Sequence, residues 1–234
     1  MEVKRYSTKQ KAGEAAAQKL NQLLDAHSRM PTLFLLSGGS SLALLERITI
    51  FPPKLTVGVT DERFSENPKA NNFAQLAETS FFQKAQESGA YFIDTRVQPG
   101  EDIQVFSKRF EDAIRAWKEE HPGGTVVITQ GVGVDGHTFG IMPYPKDRQA
   151  FSELFEGKNW VVGYDAGSRN EHPLRATITI PFLQEVDFSV VYMAGKEKGQ
   201  ALSRMLVKEG TLWETPARIV REMKEVHVFT DIPT

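Results

Sequence analysis

The segment Thr125-Val126-Val127-Ile128-Thr129-Gln130-Gly131-Val132-Gly133-Val134-Asp135-Gly136-His137-Thr138 carries the clearest structural pattern in the chain. Its first five residues are all β-branched, which favours a buried strand. A glycine-rich turn follows at once and places Asp135 and His137 two residues apart. The segment therefore predicts a strand that ends in a loop carrying a carboxylate and an imidazole.

Two segments nearer the N-terminus repeat this arrangement. Residues 32–36 (Thr-Leu-Phe-Leu-Leu) and residues 55–59 (Leu-Thr-Val-Gly-Val) are short apolar runs, typical of strands buried on both faces. Residues 37–41 (Ser-Gly-Gly-Ser-Ser) follow the first run, and Asp61–Arg63 follows the second. A helical pattern comes after each polar loop. We expect a loop serine to cap the first of these helices and Asn71-Asn72 to cap the second.

The rest of the chain continues the alternation. Helices are predicted over residues 8–27, from Ile103 to His121, up to Leu206 and from Pro216, and strands at residues 160–163, 176–180, 189–194 and 226–229. No linker or repeat divides residues 1–234, which predicts a single α/β domain. We expect a mostly parallel sheet flanked by helices, a modified Rossmann-like three-layer sandwich that binds ligands beyond the carboxyl ends of its strands.

Composition excludes several classes of function. The chain has 28 Lys and Arg against 30 Asp and Glu, so it lacks the basic excess that nonspecific nucleic-acid binding requires. It contains no cysteine, which rules out disulfides, cysteine-ligated zinc and thiol nucleophiles. No apolar run approaches the ~20 residues of a membrane span, and residues 1–10 are too polar for a signal peptide. A soluble cytoplasmic protein is expected, without nucleic-acid or membrane partners.

The glycines after the third strand match a dinucleotide-binding fingerprint, but their context does not. Gly131, Gly133 and Gly136 have the required spacing. That fingerprint needs a helix to open within the motif, whereas Pro143 and Pro145 follow closely and prevent one. No strand ending in an acidic residue follows about 20 residues later. We therefore expect no nicotinamide cofactor.

Each loop can be explained by a structural role alone or by a chemical role. Residues 37–41 fit a phosphate loop, although a tight turn alone would explain them. Asp61–Arg63 fits either a solvated charge cluster or an anion site in which Arg63 binds an oxyanion and Asp61 holds a hydroxyl or water. Asp135 could orient His137 as a general base, although most lone histidines are structural. Arg175 and Lys196 are weaker candidates for phosphate ligands.

Taken together, these loops resemble the 6-phosphogluconolactonase family of the sugar-phosphate isomerase and deaminase superfamily. The family's phosphate loop corresponds to residues 37–42, and its Asp-Glu-Arg motif, which is followed by Ser-Asn, corresponds to Asp61–Arg63 and Asn71-Asn72. Its Gly-x-Gly-x-Asp-Gly-His-Thr motif corresponds to residues 131–138. The chain departs from the family pattern at Ser41, Leu42, Asn71 and residues 139–142.

The resemblance implies hydrolysis of 6-phospho-D-glucono-1,5-lactone to 6-phosphogluconate in the oxidative pentose phosphate pathway. His137 would activate water, Asp135 would orient its ring, and Asp61 is the second choice for proton transfer. Amides near Gly133 or a cationic side chain would stabilise the carbonyl oxygen. No metal or cofactor is expected, and the protein would be a monomer or weak homodimer. The residues expected to hold the phosphate are Ser37, Gly38, Gly39, Ser40, Ser41, Arg63, Arg175 and either Lys198, which the family spacing favours, or Lys196.

Two alternatives stay open. Glucosamine-6-phosphate deaminase is similar, but it has an acidic residue soon after the histidine and a tyrosine at the position of Arg63. Residues 138–145 contain no Asp or Glu, which favours the lactonase. A noncatalytic sugar-phosphate sensor would keep the phosphate loop, but it would not need the pair Asp135 and His137.

Overall fold

The computed structural model describes residues 1–233 as ten strands and a set of helices. The strands lie close to the predicted apolar runs. Three were not predicted: β1 and β5, which are short, and β4, whose residues were expected to form a loop. The strands are β1 Glu2–Arg5, β2 Thr32–Leu36, β3 Leu55–Val59, β4 Asp61–Arg63, β5 Tyr91–Phe92, β6 Thr125–Gln130, β7 Val161–Asp165, β8 Leu174–Ile178, β9 Phe188–Met193 and β10 Glu225–Thr230.

The α-helices include the two long amphipathic helices that the apolar spacing predicts. The helix α1 buries an Ala and Leu face against β9 and β10, and α4 buries an aromatic face against β7 and β8. The α-helices are α1 Lys9–Ala26, α2 Asn72–Ala77, α3 Ser80–Glu87, α4 Ile103–Glu120, α5 Arg148–Phe155, α6 Ile180–Glu185 and α7 Gly199–Leu206. Within residues 1–233, no helix has both the length and the apolar character that a membrane crossing would need.

Four further helical segments have 3₁₀ geometry: Gly39–Arg47, Gly167–Arg169, Lys196–Lys198 and Pro216–Arg221. The prediction of a serine cap for the first was wrong. Gly38 is its N-cap, no side chain caps it, and Gly39 has a φ of 65°, a conformation that favours glycine. The prediction of an asparagine cap for α2 is confirmed, since Asn71 accepts a hydrogen bond from the amide of Ala74.

The main sheet has seven strands in the order β1-β10-β9-β6-β2-β3-β5, and every pair is parallel. The chain therefore runs from β2 outward through β3 and β5, then returns to the other side of β2 at β6 and continues outward through β9 and β10. The strand order reverses between β2 and β6. In open α/β sheets ligands bind beyond the carboxyl ends of the strands at such a point.

A second sheet of three antiparallel strands, β4-β8-β7, carries the segment Asp61–Arg63. The prediction that these residues form a loop at the end of β3 was wrong. The amide of Thr60 donates to the carbonyl of Leu36 in the main sheet, while its own carbonyl accepts from the amide of Ile178 in the second sheet. The chain thus leaves the main sheet and enters the second sheet at Thr60. This places β4 at the carboxyl end of β3.

Candidate active site

The loops at the carboxyl ends of β2, β6 and β9, together with the second sheet, enclose a cavity of about 270 Å³. It lies at the point between β2 and β6 where the strand order reverses. Its walls are mostly polar or backbone groups. They comprise Ser37, Gly38, Gly39, Ser40, Asp61, Arg63, Asn72, Gly131, Val132, Gly133, His137, Phe139, Asn170, Arg175 and Lys198.

The imidazole of His137 is held by Asp135. Asp135 Oδ1 lies 2.6 Å from His137 Nδ1 and also accepts from the His137 amide at 3.1 Å. In the neutral form of the ring, a carboxylate at this position favours the proton on Nδ1, which leaves Nε2 as an acceptor. Burial raises the pKa of Asp135, but the hydrogen bonds and charge of His137 outweigh burial and lower it below its ordinary value. Asp135 is therefore a carboxylate that orients the imidazole ring of His137.

Glycine at position 133 is required by the same pair. A Cβ there would lie 2.7 Å from Asp135 Oδ1 and would collide with the ring of His137. The amide of Gly133 donates to the carbonyl of His137 at 2.9 Å, so this amide is already used inside the loop. Gly133 thus contributes the space into which the imidazole fits.

Hydrogen bonds between buried side chains attach the loop to the main sheet. Ser189 on β9 donates to Gln130 at 2.9 Å, and Gln130 donates to the hydroxyl of Thr138 at 3.0 Å. That hydroxyl in turn donates to the carbonyl of Gly131 at 2.8 Å. All three side chains are buried. Fully paired buried polar groups define a single arrangement, so the two ends of the loop are fixed relative to β6 and β9.

Two arginines face the cavity from opposite positions of the antiparallel pair β4 and β8. Arg63 and Arg175 are direct partners in the register, and like charges in such a pair repel. Asp61 compensates one of them, since Arg175 Nη2 lies 2.7 Å from Asp61 Oδ2 and both side chains are nearly fully buried. Asn170 also accepts from Arg175, at 3.1 Å. Arg63 has no carboxylate partner among residues 1–233, so this wall carries a net positive charge that suits an anion.

The turn after β2 forms the facing wall. Ser37 is fixed by its amide, which donates to the hydroxyl of Thr129 at 2.8 Å. A side chain at position 38 would collide with Asn72, because a Cβ there would lie 2.5 Å from Asn72 Oδ1. Ser40 is exposed at the first turn of the 3₁₀ helix, and the hydroxyl of Ser41 is buried with no partner within residues 1–233. The turn therefore presents serine hydroxyls and the backbone of Gly38 and Gly39, which have no Cβ to obstruct it.

Only one of the two candidate lysines reaches the cavity. Lys198 lines it, and burial lowers the pKa of this ammonium below its ordinary value, with Lys9 acting in the same direction and Glu197 against it. Lys196 is exposed and does not belong to the cavity wall. Lys198 therefore adds a third cation to Arg63 and Arg175.

A family described as glucosamine-6-phosphate isomerases and 6-phosphogluconolactonase matches residues 5–229. The chain belongs to this family. Human 6-phosphogluconolactonase is 26% identical over 216 residues, covering 86% of this chain and 80% of the human protein.

Solved structures share the fold of this family member. A 6-phosphogluconolactonase from Shewanella baltica has a TM-score of 0.81 at 18% identity, covering 98% of this chain and 97% of that chain. A monomeric glucosamine-6-phosphate deaminase has a TM-score of 0.71 at 18% identity, covering 98% and 97%. The mostly parallel sheet flanked by helices is thus the family fold, and it is common to both activities.

The structure brings most of the predicted site residues of this family member to one cavity. Asp135 lies behind His137, Ser41 is buried and does not line the cavity, and Lys196 lies outside. Five wall residues were not among the predicted site residues: Asn72, Gly131, Val132, Phe139 and Asn170. Asn72 was expected as a helix cap and as part of a family motif, Phe139 belongs to the stretch that departs from the family pattern, and Asn170 lies in no recognised motif. Phe139 is the one non-glycine residue of the described chain with a positive φ, 55°. The predicted residues that line the cavity are Ser37, Gly38, Gly39, Ser40, Asp61, Arg63, Gly133, His137, Arg175 and Lys198.

Glu62, the middle residue of the Asp-Glu-Arg motif, points away from the cavity because alternate residues of a strand face opposite sides. Its buried carboxylate accepts from the amides of Arg63, Asn72 and Phe73 at 2.7, 2.5 and 2.9 Å. Thr95 donates to it at 3.1 Å. Glu62 thereby fastens β4 to the first turn of α2 and fixes the backbone from which Asp61 and Arg63 project.

The stability of the protein is expected to depend on pH through Glu62. Burial raises the pKa of Glu62 to about 8 from its ordinary value of 4.5, against the opposing hydrogen bonds of the three amides. Between these values the folded protein keeps a proton that the unfolded chain has lost. The free energy of unfolding should therefore fall as the pH rises from about 5 to about 8, by at most about 1.4 kcal/mol per pH unit.

Urea titrations of the wild type and of Glu62→Gln at several pH values test this dependence. The substitution removes the titrating group and should flatten the slope, whereas Glu66→Gln, at an exposed glutamate of the following loop, should leave it unchanged. Equal slopes for the wild type and Glu62→Gln would contradict the prediction.

Proposed function

We propose that the protein hydrolyses 6-phospho-D-glucono-1,5-lactone to 6-phosphogluconate, the reaction of the oxidative pentose phosphate pathway for which its relatives are named. One observation carries the proposal. A single cavity contains an imidazole oriented by a carboxylate together with three cations, Arg63, Arg175 and Lys198. The imidazole supplies a base for hydrolysis, and the cations supply a site for the phosphate.

His137 starts the reaction as the base. Its Nε2 takes a proton from water while the water oxygen forms a bond to the lactone carbonyl carbon. The tetrahedral intermediate then collapses, the bond between that carbon and the ring oxygen breaks, and the ring oxygen takes the proton back from His137. Asp135 stabilises the imidazolium in between. A lactone is an activated ester, so these steps need no cysteine nucleophile.

The phosphate holds the reacting carbonyl next to His137. Binding of this remote group orients the substrate, which is how binding energy contributes to the rate. We assign the phosphate to Ser37, Gly38, Gly39, Ser40, Arg63 and Lys198. The third cation of the cavity, Arg175, is held in place by Asp61. Because the Gly133 amide is used within the loop, we expect one cationic side chain of the cavity to stabilise the developing oxyanion. A role of Asp61 in proton transfer stays a prediction.

A pair of assays tests the function. Acid release from freshly prepared 6-phosphogluconolactone is measured and corrected for spontaneous hydrolysis, and ammonia release from glucosamine 6-phosphate is measured alongside. We expect acid release well above the spontaneous rate and no ammonia. Ammonia release would instead identify a deaminase, and binding of the lactone without turnover of either compound would identify a sensor.

Lys198→Met is expected to raise KM for the phosphorylated lactone by about tenfold to a hundredfold, with a smaller effect on kcat, because it removes a charge-assisted contact to the phosphate. Lys196→Met is a matched control, since this lysine is only two residues away and exposed. Initial rates with phosphorylated and unphosphorylated gluconolactone measure the effect. A rise in KM for Lys196→Met rather than Lys198→Met, or an equal loss with both lactones, would count against this assignment.

A further inference from the structure

The loop that carries Asp135 and His137 separates two cavities. His137 lines the smaller one described above, whereas Asp135 lines a larger one of about 660 Å³. Arg204 on α7 and Arg218 on the 3₁₀ helix Pro216–Arg221 belong to the wall of the larger cavity. These arginines are distinct from the cations that face His137.

The tip of this loop is not held by core packing. Val134 is 56% exposed, and the side chain of Asp135 is 45% exposed. The hydrogen bonds of Thr138 and Gly131 fix the two ends of the loop but not its tip. Within the loop, the amide of Gly136 donates to the carbonyl of Gly133 at 3.1 Å, and the position of Asp135 depends on this turn and on hydrogen bonds that other segments make to the backbone of the tip.

Arg204 makes two hydrogen bonds to the tip from outside the loop. Its Nη2 donates to the carbonyl of Asp135 at 3.1 Å and to the carbonyl of Val134 at 3.4 Å. These carbonyls belong to the two peptide groups on either side of the Asp135 Cα. One guanidinium therefore restrains both backbone dihedrals of Asp135, and with them the origin of its side chain. The amide of Ala217 extends the restraint by donating to the next carbonyl, that of Gly136, at 3.0 Å.

The backbone of Arg204 is itself fixed by Arg218. The buried Arg218 donates to the carbonyls of Arg204, Val207 and Lys208 at 2.6, 2.9 and 2.8 Å. These contacts hold the C-terminal end of α7, where helix carbonyls otherwise have no partners. The chain of contacts runs from Arg218 through Arg204 to Asp135 and from there to His137.

We propose that Arg204 is a positioning residue that holds Asp135 in contact with the imidazole of His137. The inference rests on the proposed function, because Arg204 acts through the pair that the hydrolysis uses. Removing the guanidinium takes the outside partner from both peptide groups around Asp135. Only contacts within the loop then remain, from the Gly136 amide to the Gly133 carbonyl and from the His137 amide to Asp135 Oδ1, so the imidazole is less well oriented while the phosphate site is untouched. The rate should fall and the affinity for substrate should not.

Arg204→Ala tests the inference, with Arg221→Met as the control. Arg221 donates to the carbonyl of Leu206 on the same helix at 2.9 Å but does not contact the loop. We expect kcat for the phosphorylated lactone to fall about tenfold to a hundredfold in Arg204→Ala, with KM within about twofold, as for a small displacement of a catalytic group. Guanidinium ion at millimolar concentration should restore part of the rate, because the larger cavity admits it. Arg221→Met should match the wild type.

The outcomes separate this inference from the proposed function. A wild type without lactonase activity overturns both. An active wild type with an inactive His137→Ala and an unchanged Arg204→Ala overturns the positioning role alone, as does a loss of rate in Arg204→Ala that guanidinium does not restore. Should Arg204→Ala fail to fold, Arg204→Met decides. This variant keeps the aliphatic stem but has no donor for the two carbonyls, so a reduced kcat at unchanged KM supports the role and wild-type kinetics overturn it.

Discussion

Replacing His137 with alanine is expected to lower kcat for 6-phosphogluconolactone by about 10² to 10⁴, the usual contribution of a general base. The reason is that, among the described residues lining the cavity, the imidazole is the one group with an unpaired acceptor nitrogen and a carboxylate that stabilises its charged form. KM should change little, because the phosphate is held by Arg63, Lys198 and the turn after β2. Stopped-flow or continuous acid-release kinetics, corrected for spontaneous hydrolysis, measure both constants.

His172→Ala is the control for this prediction. His172 is a histidine on the loop that carries Asn170, but it does not line the cavity. Its loss should leave kcat and KM close to those of the wild type. A His137→Ala variant that folds, binds substrate and turns over at a near-normal rate would remove His137 from the proposed mechanism.

The sequence predicts those features of the fold and the site that depend on residues close together in the chain. The run of β-branched residues before Gly131 predicts β6, and the spacing of Asp135 and His137 predicts their contact, because both depend on neighbours a few residues away. The two prolines that follow predict that no helix opens within the motif, and residues 131–147 contain none. Family membership is likewise carried by short motifs at strand ends.

The remainder depends on contacts between distant segments, which no local pattern encodes. Asp61–Arg63 reads as a loop, yet it forms a strand because β8 lies beside it, more than a hundred residues further on. Asn170 enters the cavity because Arg175 holds it there. Arg204 reads as one more surface cation on an amphipathic helix, and its two contacts to the catalytic loop follow only from the way α7 packs.

The buried ion pair of Asp61 and Arg175 is expected to have the largest effect on stability. Asp61→Asn leaves a guanidinium buried without its counter-ion, and Arg175→Met leaves a buried carboxylate. Each should lower the free energy of unfolding by about 3–5 kcal/mol. The double variant should lose less than the sum of the two, since it leaves neither charge unpaired. Urea denaturation of the four proteins measures this coupling.

Asp112→Asn gives the comparison for an exposed pair. Asp112 pairs with Lys108 one turn away on α4, and both side chains are more than half exposed. Its loss should cost no more than about 0.5 kcal/mol. If Asp61→Asn were as mild as Asp112→Asn, the pair in the cavity wall would not stabilise the fold as its burial implies.

Kinetics of Asp61→Asn, measured on the folded fraction, separate the two roles open to this carboxylate. If Asp61 only holds Arg175, its loss lets the guanidinium move, which weakens the grip on the substrate, so KM should rise more than kcat falls. If Asp61 itself transfers a proton, kcat should instead fall about as far as in His137→Ala, with KM unchanged. We expect the first result, because Asp61 Oδ2 is engaged by Arg175 at 2.7 Å, whereas Nε2 of His137 has no such partner within residues 1–233.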